Sequence, residues 1–181
     1  MSKEFSEARL DVRAFAQAEG QLQGQAPLSA FSRLAQDAAG QDGEVRWQAD
    51  GELVAQAGGS GHVWLHLQAE AVVPMTCQRC LTTARIPLEV HRSFRFVADE
   101  ATAEMEDDDS EEDVLALSRE FDLLQLIEDE LLMELPVVPR HEACPEPVNM
   151  QSSDADFVQA GQEKVNPFAV LRGLDVGKKA D

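Results

Sequence analysis

The longest regular pattern in the chain is an alternation of apolar and polar residues over positions 63–73. Its apolar members are Val63, Leu65, Leu67, Ala69, Ala71 and Val73. Successive side chains of a β-strand point to opposite faces, so this segment predicts one long strand with a single buried face. A second alternation over 84–97 follows Cys77-Gln78-Arg79-Cys80. The sequence therefore predicts a long antiparallel hairpin with a Cys-x-x-Cys motif at its tip.

Shorter patterns predict the elements around this hairpin. Residues 10–15 alternate and predict a first strand, and residues 29–39 predict a helix. Asp50-Gly51 predicts a tight turn between two further strands, because both turn positions favour positive φ. Residues 114–117 predict a short strand. Asp122 is a good N-cap for an amphipathic helix over 122–135, which Pro136 ends.

These elements predict an α+β fold. We expect an antiparallel, twisted sheet, curling towards a half-closed barrel, with the 122–135 helix packed on it. The expected domain covers residues 1–144 and is interrupted by an acidic linker at 98–113. Residues 99–113 hold ten acids in fifteen positions, which predicts a mobile segment. Residues 145–181 predict a mostly disordered tail that carries the apolar motif Asn-Pro-Phe-Ala-Val-Leu at 166–171.

The formal net charge of −19 is concentrated in one part of the chain. Residues 98–163 carry 21 Asp or Glu against only Arg119 and Arg140, whereas charges balance over 43–97. An acidic surface repels nucleic-acid phosphates and attracts basic proteins. The simpler interpretation is that these acids only keep the protein in solution.

Three cysteines and one histidine form two short motifs with the spacing of a metal site. Cys77, Cys80, His141 and Cys144 supply the thiolate and imidazole ligands that zinc prefers, so a structural zinc ion is the one cofactor the sequence suggests. A redox Cys-x-x-Cys is the rival interpretation, although it favours a helix N-terminus and this motif lies between strands. The third interpretation is that these are small apolar residues at a turn.

The only basic concentration is on the hairpin, at Arg79, Arg85, Arg92 and Arg95. These side chains are candidates for contacts with RNA phosphates, but the aromatic residues typical of an RNA-binding sheet are missing beside them. Scattered surface arginines are the ordinary alternative. No phosphate-binding loop, nucleophile elbow or His-Glu-x-x-His motif is present in the sequence, so nothing favours an enzyme. The odd cysteine count and the lack of a leader or membrane-spanning stretch predict a cytoplasmic protein.

The order of several motifs resembles one known family. The motifs are Thr-Cys-Gln-Arg-Cys at 76–80, Phe-Asp-Leu at 121–123, Leu-Pro-Val-Val-Pro at 135–139 with His141 and Cys144, and the 166–171 motif. From about Asp11 to Leu174 the chain resembles the YceD-like large ribosomal RNA subunit accumulation proteins of bacteria, which have plastid relatives. The resemblance implies a role in 23S rRNA synthesis, processing or stability and in large-subunit assembly, with no catalytic residues to carry over.

The resemblance and the charge pattern together predict a non-enzymatic factor that contacts a basic ribosomal protein or an assembly factor of the large subunit. The acidic half would attract the partner, and Phe168, Val170 and Leu171 would dock on it. Direct binding of 23S rRNA or its precursor by the arginine-bearing hairpin is the alternative. A small zinc-binding structural module and an rRNA-processing nuclease are further alternatives, and no membrane contact is expected.

Overall fold

The computed structural model describes residues 5–56, 61–146 and Phe168. The chain divides into two units, Met1–Pro145 and Glu146–Asp181, and all helices and strands of the described residues belong to the first. In chain order these are α1 (Val12–Gln17), β1 (Gln21–Pro27), a 3-10 turn (Leu28–Ala30), α2 (Ser32–Asp37), β2 (Glu44–Val54), β3 (His62–Thr76), β4 (Thr83–Val97), α3 (Glu100–Asp107), β5 (Asp113–Ala116) and α4 (Leu123–Met133).

Most of the predicted tail lies outside the described residues. Phe168 is described and is 68% exposed, whereas Val170 and Leu171 are not described. The domain limits at 144 and 145 and the predicted disorder after them therefore stay predictions. None of the helices in the described part of the chain has the length and apolar character that crossing a bilayer requires.

The strands form one curled sheet in the order β1-β2-β3-β4-β5. The first four strands pair antiparallel in sequence order, and β5 pairs parallel with the end of β4. The sheet is not closed into a barrel, since β1 and β5 lie at opposite edges. This architecture confirms the predicted α+β class and the long β3–β4 hairpin.

One face of the sheet carries the core. The alternating apolar residues of β3 are buried there, and α4 contributes Leu123, Ile127 and Leu131, each fully buried. The Asp122 side chain accepts a hydrogen bond from the Gln125 N–H, which confirms the predicted N-cap. Burial of this apolar face supplies the main stabilisation of the fold. The opposite face of the sheet is polar.

The predicted first strand over 10–15 is wrong, because these residues begin a helix. Helix α1 starts after Asp11, whose side chain accepts a hydrogen bond from the Ala14 N–H. Its buried residues are Val12, Phe15 and Ala16, which lie three and four positions apart. That spacing fits one helical face as well as the short alternation fits a strand, and the cap decides between them.

The predicted turn at Asp50-Gly51 is also wrong, because β2 runs straight through both residues to Val54. Gly51 instead lies beneath helix α1. A Cβ atom at this position would lie 2.6 Å from the Phe15 ring and 3.0 Å from the Ala16 backbone. The glycine therefore permits a close approach of helix to strand, which is a second common reason for glycine within a strand.

The acidic segment, residues 99–113, differs from the predicted mobile linker. It forms α3 and leads directly into β5, and the Asp99 side chain caps the helix by accepting from the Thr102 N–H. Arg95 of β4 fastens it to the sheet: one guanidinium nitrogen donates to Glu106 at 2.6 Å and the other to the Ser110 hydroxyl at 2.8 Å. The Arg95 contacts, the Asp99 cap and the pairing of β5 with β4 together order a segment whose composition alone predicts disorder.

Candidate metal centre

The hairpin tip, residues 77–82, is a tight turn that is closed by its own backbone. The Cys77 N–H donates to the Thr82 carbonyl and the Leu81 N–H donates to the Cys77 carbonyl, both at 2.9 Å. Leu81 adopts a φ of 61°, which turns the chain sharply after Cys80. The turn brings Cys77 and Cys80 to one side of the tip, as chelation of one ion by two thiolates requires.

A second segment reaches the tip from the far end of α4. The proline loop, residues 136–144, begins just after this helix, and its Pro139 carbonyl accepts a hydrogen bond from the Gln78 N–H at 2.9 Å. Pro136 and Pro139 cannot continue the helix, so the chain leaves α4 and turns towards the hairpin. His141 and Cys144 arrive beside the two cysteines in this way.

The four candidate ligands converge on one point. One ligand atom from each of Cys77, Cys80, His141 and Cys144 lies within 4.8 Å of all the others. A tetrahedral zinc ion with bonds of about 2.0–2.3 Å holds its ligand atoms roughly 3.3–3.8 Å apart, so a small contraction gives the bound geometry. The predicted proximity of the two motifs is confirmed, and the arrangement can hold a metal ion.

Cys77 is the most enclosed of the four. Its side chain is buried, which by itself raises the pKa of the thiol. Backbone N–H groups of Cys80, His141 and Arg79 donate to the sulfur and outweigh the burial, so that the pKa of Cys77 falls to about 5. Amides from both segments therefore favour the thiolate, which is the form that binds metal.

His141 is oriented by two neighbours. Its Nδ1 lies 3.4 Å from the Cys80 sulfur, and its Nε2 lies 3.1 Å from the Thr83 carbonyl oxygen. A carbonyl only accepts, so Nε2 carries the proton in the neutral ring and the Nδ1 lone pair faces the cluster. Hydrogen bonding to Cys77 and Cys80 raises the pKa of His141, as expected for an imidazole beside thiolates.

The other two sulfurs each have a polar neighbour. The Cys80 sulfur lies 3.2 Å from the Thr82 hydroxyl, and this hydrogen bond lowers the pKa of Cys80. Burial raises the pKa of Cys144, and the hydrogen bond that it accepts from Arg79 opposes that rise. Thr82 and Thr83 were not predicted as neighbours of the site, because a hydroxyl and a carbonyl just after a Cys-x-x-Cys give no distinctive signal in the sequence.

The hairpin arginines lie in different environments. Arg79 contacts the proline loop, and Arg95 is held by the acidic segment. Arg92 lies on the helix-covered face, 3.5 Å from Glu130 and 3.9 Å from Glu134 of α4. Arg85 is exposed on β4. The structure thus brings Arg79 to the candidate metal centre, and Arg92 and Arg95 each face carboxylates of the same chain.

A comparison with protein families gives a match that includes these segments. The model of a family described as large ribosomal RNA subunit accumulation protein YceD matches residues 65–175, well over half of the chain. The match begins within β3 and includes the hairpin tip, the acidic segment, α4 and the proline loop. No solved structure matches the chain. On the strength of that match, the chain belongs to the YceD family of large ribosomal RNA subunit accumulation proteins.

Proposed function

We propose that this protein is a non-enzymatic cytoplasmic factor for 23S rRNA accumulation and large-subunit assembly. It acts by contacting a basic ribosomal protein or assembly factor, and it does not itself bind RNA tightly. The family supplies the connection to the large ribosomal subunit. The observation that carries the mode of action is a contrast. Arg79, Arg92 and Arg95 contact groups of the same chain, whereas most acids of the acidic segment form no salt bridge within the described residues.

The acids of the acidic segment are ordered and largely unpaired. All fifteen of its residues are described, and of its ten acids only Glu106 forms a salt bridge within the described part of the chain. The other nine acids lie on α3 and its N-cap, on the turn that follows and at the start of β5, close together in the chain. Clustered, unneutralised carboxylates raise the local concentration of a cationic partner and speed its association.

A binding experiment tests the proposed mode of action. The purified protein is titrated with basic large-subunit ribosomal proteins at low and at physiological salt, beside a variant in which Glu100, Glu104 and Glu111 are Gln and Asp109 is Asn. A control variant removes the same number of exposed acids elsewhere, with Gln at Glu19, Glu44 and Glu89 and Asn at Asp42. We expect the first variant to lose most of the salt-dependent binding and the control to lose little. Equal losses in the two variants contradict a specific role of the acidic segment.

The docking motif is tested on the same partner. Phe168, Val170 and Leu171 form the apolar part of the 166–171 motif, and an apolar anchor on the partner would add affinity that does not depend on salt. We expect Phe168→Ala to weaken binding at both salt concentrations by a similar factor. Unchanged binding by this variant excludes Phe168 as an anchor.

Direct rRNA binding by the hairpin is less well supported. Arg79, Arg92 and Arg95 are engaged by groups of the same chain, so an RNA phosphate would have to displace those partners. Substituting them disturbs the fold as well as any RNA contact, and the informative measurement is therefore on the unaltered protein. Tight binding of a naked 23S transcript at physiological salt would favour this second function over the first.

We propose in addition that Cys77, Cys80, His141 and Cys144 bind one structural zinc ion. The convergence of the four ligand atoms within 4.8 Å supports it, as does the Nδ1 of His141 facing the sulfurs. Three thiolates and one imidazole suit zinc better than magnesium or calcium, which prefer oxygen ligands. Bound zinc would join the hairpin tip to the chain that follows α4.

Metal analysis of protein purified without chelator tests the zinc proposal. We expect one zinc per chain, lost on prolonged chelation and restored by added zinc. The two segments should then show faster amide exchange in the chelated protein, while the sheet stays protected. Protein that neither contains zinc nor takes it up would end the proposal.

A further inference from the structure

Arg79 lies between two ligands of one segment but makes its contacts with the other. From its place between Cys77 and Cys80, its Nε donates to the Cys144 sulfur at 3.0 Å. One terminal nitrogen donates to the His141 carbonyl at 3.1 Å and to the Glu142 carbonyl at 3.4 Å. One guanidinium therefore holds the backbone and the last ligand of the proline loop together.

The charge of the metal centre gives these contacts a purpose. Three thiolates and a neutral imidazole around a divalent ion leave one net negative charge, and Arg79 supplies one positive charge directly on a sulfur. A hydrogen bond from an ionised donor to a thiolate is stronger than one between neutral groups. Cys144 is the ligand on which this charge acts directly, because the Arg79 Nε donates to its sulfur at 3.0 Å.

The shape of the side chain matters as much as its charge. The planar fork of a guanidinium donates from Nε and a terminal nitrogen in fixed relative directions, whereas the lysine ammonium is a compact point charge. Here the fork spans a sulfur and two carbonyls, which sets the path of the chain from His141 to Cys144. The pKa of Arg79 is raised, chiefly by its hydrogen bond to Cys144.

We infer that Arg79 is a positioning residue of the metal centre, which neutralises the three-thiolate site and holds Cys144 in place to bind a divalent zinc-type ion. This inference rests on the proposed zinc site. It also assigns to Arg79 a task other than contact with RNA. The other hairpin cations lie on strand β4, away from the turn between the two cysteines.

The test compares three variants of the full-length protein. Arg79→Gln removes the charge and the fork, Arg79→Lys keeps the charge alone, and Arg85→Gln removes an equal charge from an exposed site on the same hairpin. Zinc affinity is measured by competition with a chelator of known affinity. Cobalt(II) absorption reports whether three thiolates coordinate the ion in a tetrahedron.

We expect Arg79→Gln to weaken zinc binding by about 10–100-fold, the range typical of a lost outer partner of a metal ligand. Its cobalt spectrum should show weaker thiolate charge transfer. Arg79→Lys should recover part of the affinity but not the spectrum, and Arg85→Gln should match the wild type. If Arg79→Gln does not fold, Arg79→Lys still tests the fork, because it keeps the charge.

The outcomes separate this inference from the zinc proposal. A wild-type protein that takes up neither zinc nor cobalt defeats the proposed zinc site itself. If the wild type binds both ions, and Arg79→Gln and Arg79→Lys both match it in zinc affinity and cobalt spectrum, the role of Arg79 alone is overturned. Equal weakening by Arg85→Gln also overturns it, because the effect would then be one of general charge.

Discussion

The candidate metal centre and the acidic segment of this protein differ in how many contacts hold them. At the candidate metal centre, several backbone hydrogen bonds and four candidate ligands from two distant segments meet at one point. In the acidic segment, Arg95 of β4 donates hydrogen bonds to Glu106 and Ser110, and it is the cation that offsets the mutual repulsion of the carboxylates around α3. The first region is held by many convergent groups, whereas the second is held by fewer, namely the Arg95 guanidinium, the Asp99 cap and the pairing of β5 with β4.

This difference agrees with the two tasks proposed for these regions. A convergent site suits a fixed structural joint, because the loss of any one contact leaves the others in place. A segment in which only Glu106 forms a salt bridge within the described part of the chain leaves most of its carboxylates available to the proposed partner. Each region can therefore be disturbed without the other, and the following experiments use that independence.

The largest effect is expected from Cys77→Ser. Cys77 is the fully buried ligand, and three amides from the two segments donate to its sulfur. The variant should lose one-to-one zinc binding, with a fall in affinity beyond the roughly 10–100-fold of an outer partner. Metal analysis and chelator competition measure it, and Gln78→Ala serves as a control within the same turn. Full zinc content in Cys77→Ser contradicts the assignment of this ligand.

A smaller and strictly local effect is expected from Arg95→Gln. The Arg95 side chain is only 11% exposed, and the substitution removes charged hydrogen bonds to Glu106 and Ser110. Loss of a hydrogen-bonded charge costs about 1–3 kcal/mol, so amide exchange in α3 should rise by roughly 5–150-fold. Zinc affinity should not change. Slow exchange in α3 of the variant would show that other contacts order the acidic segment.

The smallest effect concerns Glu130 of α4, which is close enough to Asp113 of the acidic segment to be affected by its charge. Burial raises the pKa of Glu130; Arg92 opposes this, and Asp113 adds to it. A pKa raised on folding means that this carboxyl favours the folded state only at low pH, and that the benefit is lost as pH rises through the folded pKa.

Glu130→Gln should therefore equal or exceed the wild type in stability at pH 7, by about 1 kcal/mol at most. The advantage should shrink as pH falls through the raised folded-state pKa, and it should be gone below the ordinary pKa of glutamate. Denaturant unfolding at a series of pH values between 4 and 8 measures it. A variant that is less stable at pH 7, with a deficit that grows with pH, would show that the pair with Arg92 dominates.

Long patterns in the sequence predicted the fold where a single physical signal was strong. Strands β3 and β4 follow from a sustained alternation, and α4 follows from an apolar stripe behind an N-cap at Asp122. Short patterns failed because two structures satisfy them. Residues 10–15 fit a strand or the start of a helix, and Gly51 fits a turn or a close helix contact equally well.

The candidate metal centre shows a similar limit. Ligand type and spacing identified all four residues, but only the fold shows that residues 61 positions apart, Cys80 and His141, lie side by side. The order of the acidic segment was not predictable from its composition, since it involves partners outside the segment, among them Arg95 and the backbone of β4. The sequence presents Arg79 as a candidate for RNA contact or as an ordinary surface cation, because its position does not reveal which segment its side chain reaches.

The main-chain hydrogen bond from Gln78 to Pro139 has a consequence for how an ion is captured. Bringing together two ends of a flexible loop of this length costs roughly 4 kcal/mol of chain entropy. The folded sheet meets that cost before any ion arrives, so the site is preorganised and uptake needs only local closure. Two separate peptides that carry residues 76–83 and 136–145 should accordingly bind the same ion far more weakly than the intact chain, although they contain every ligand.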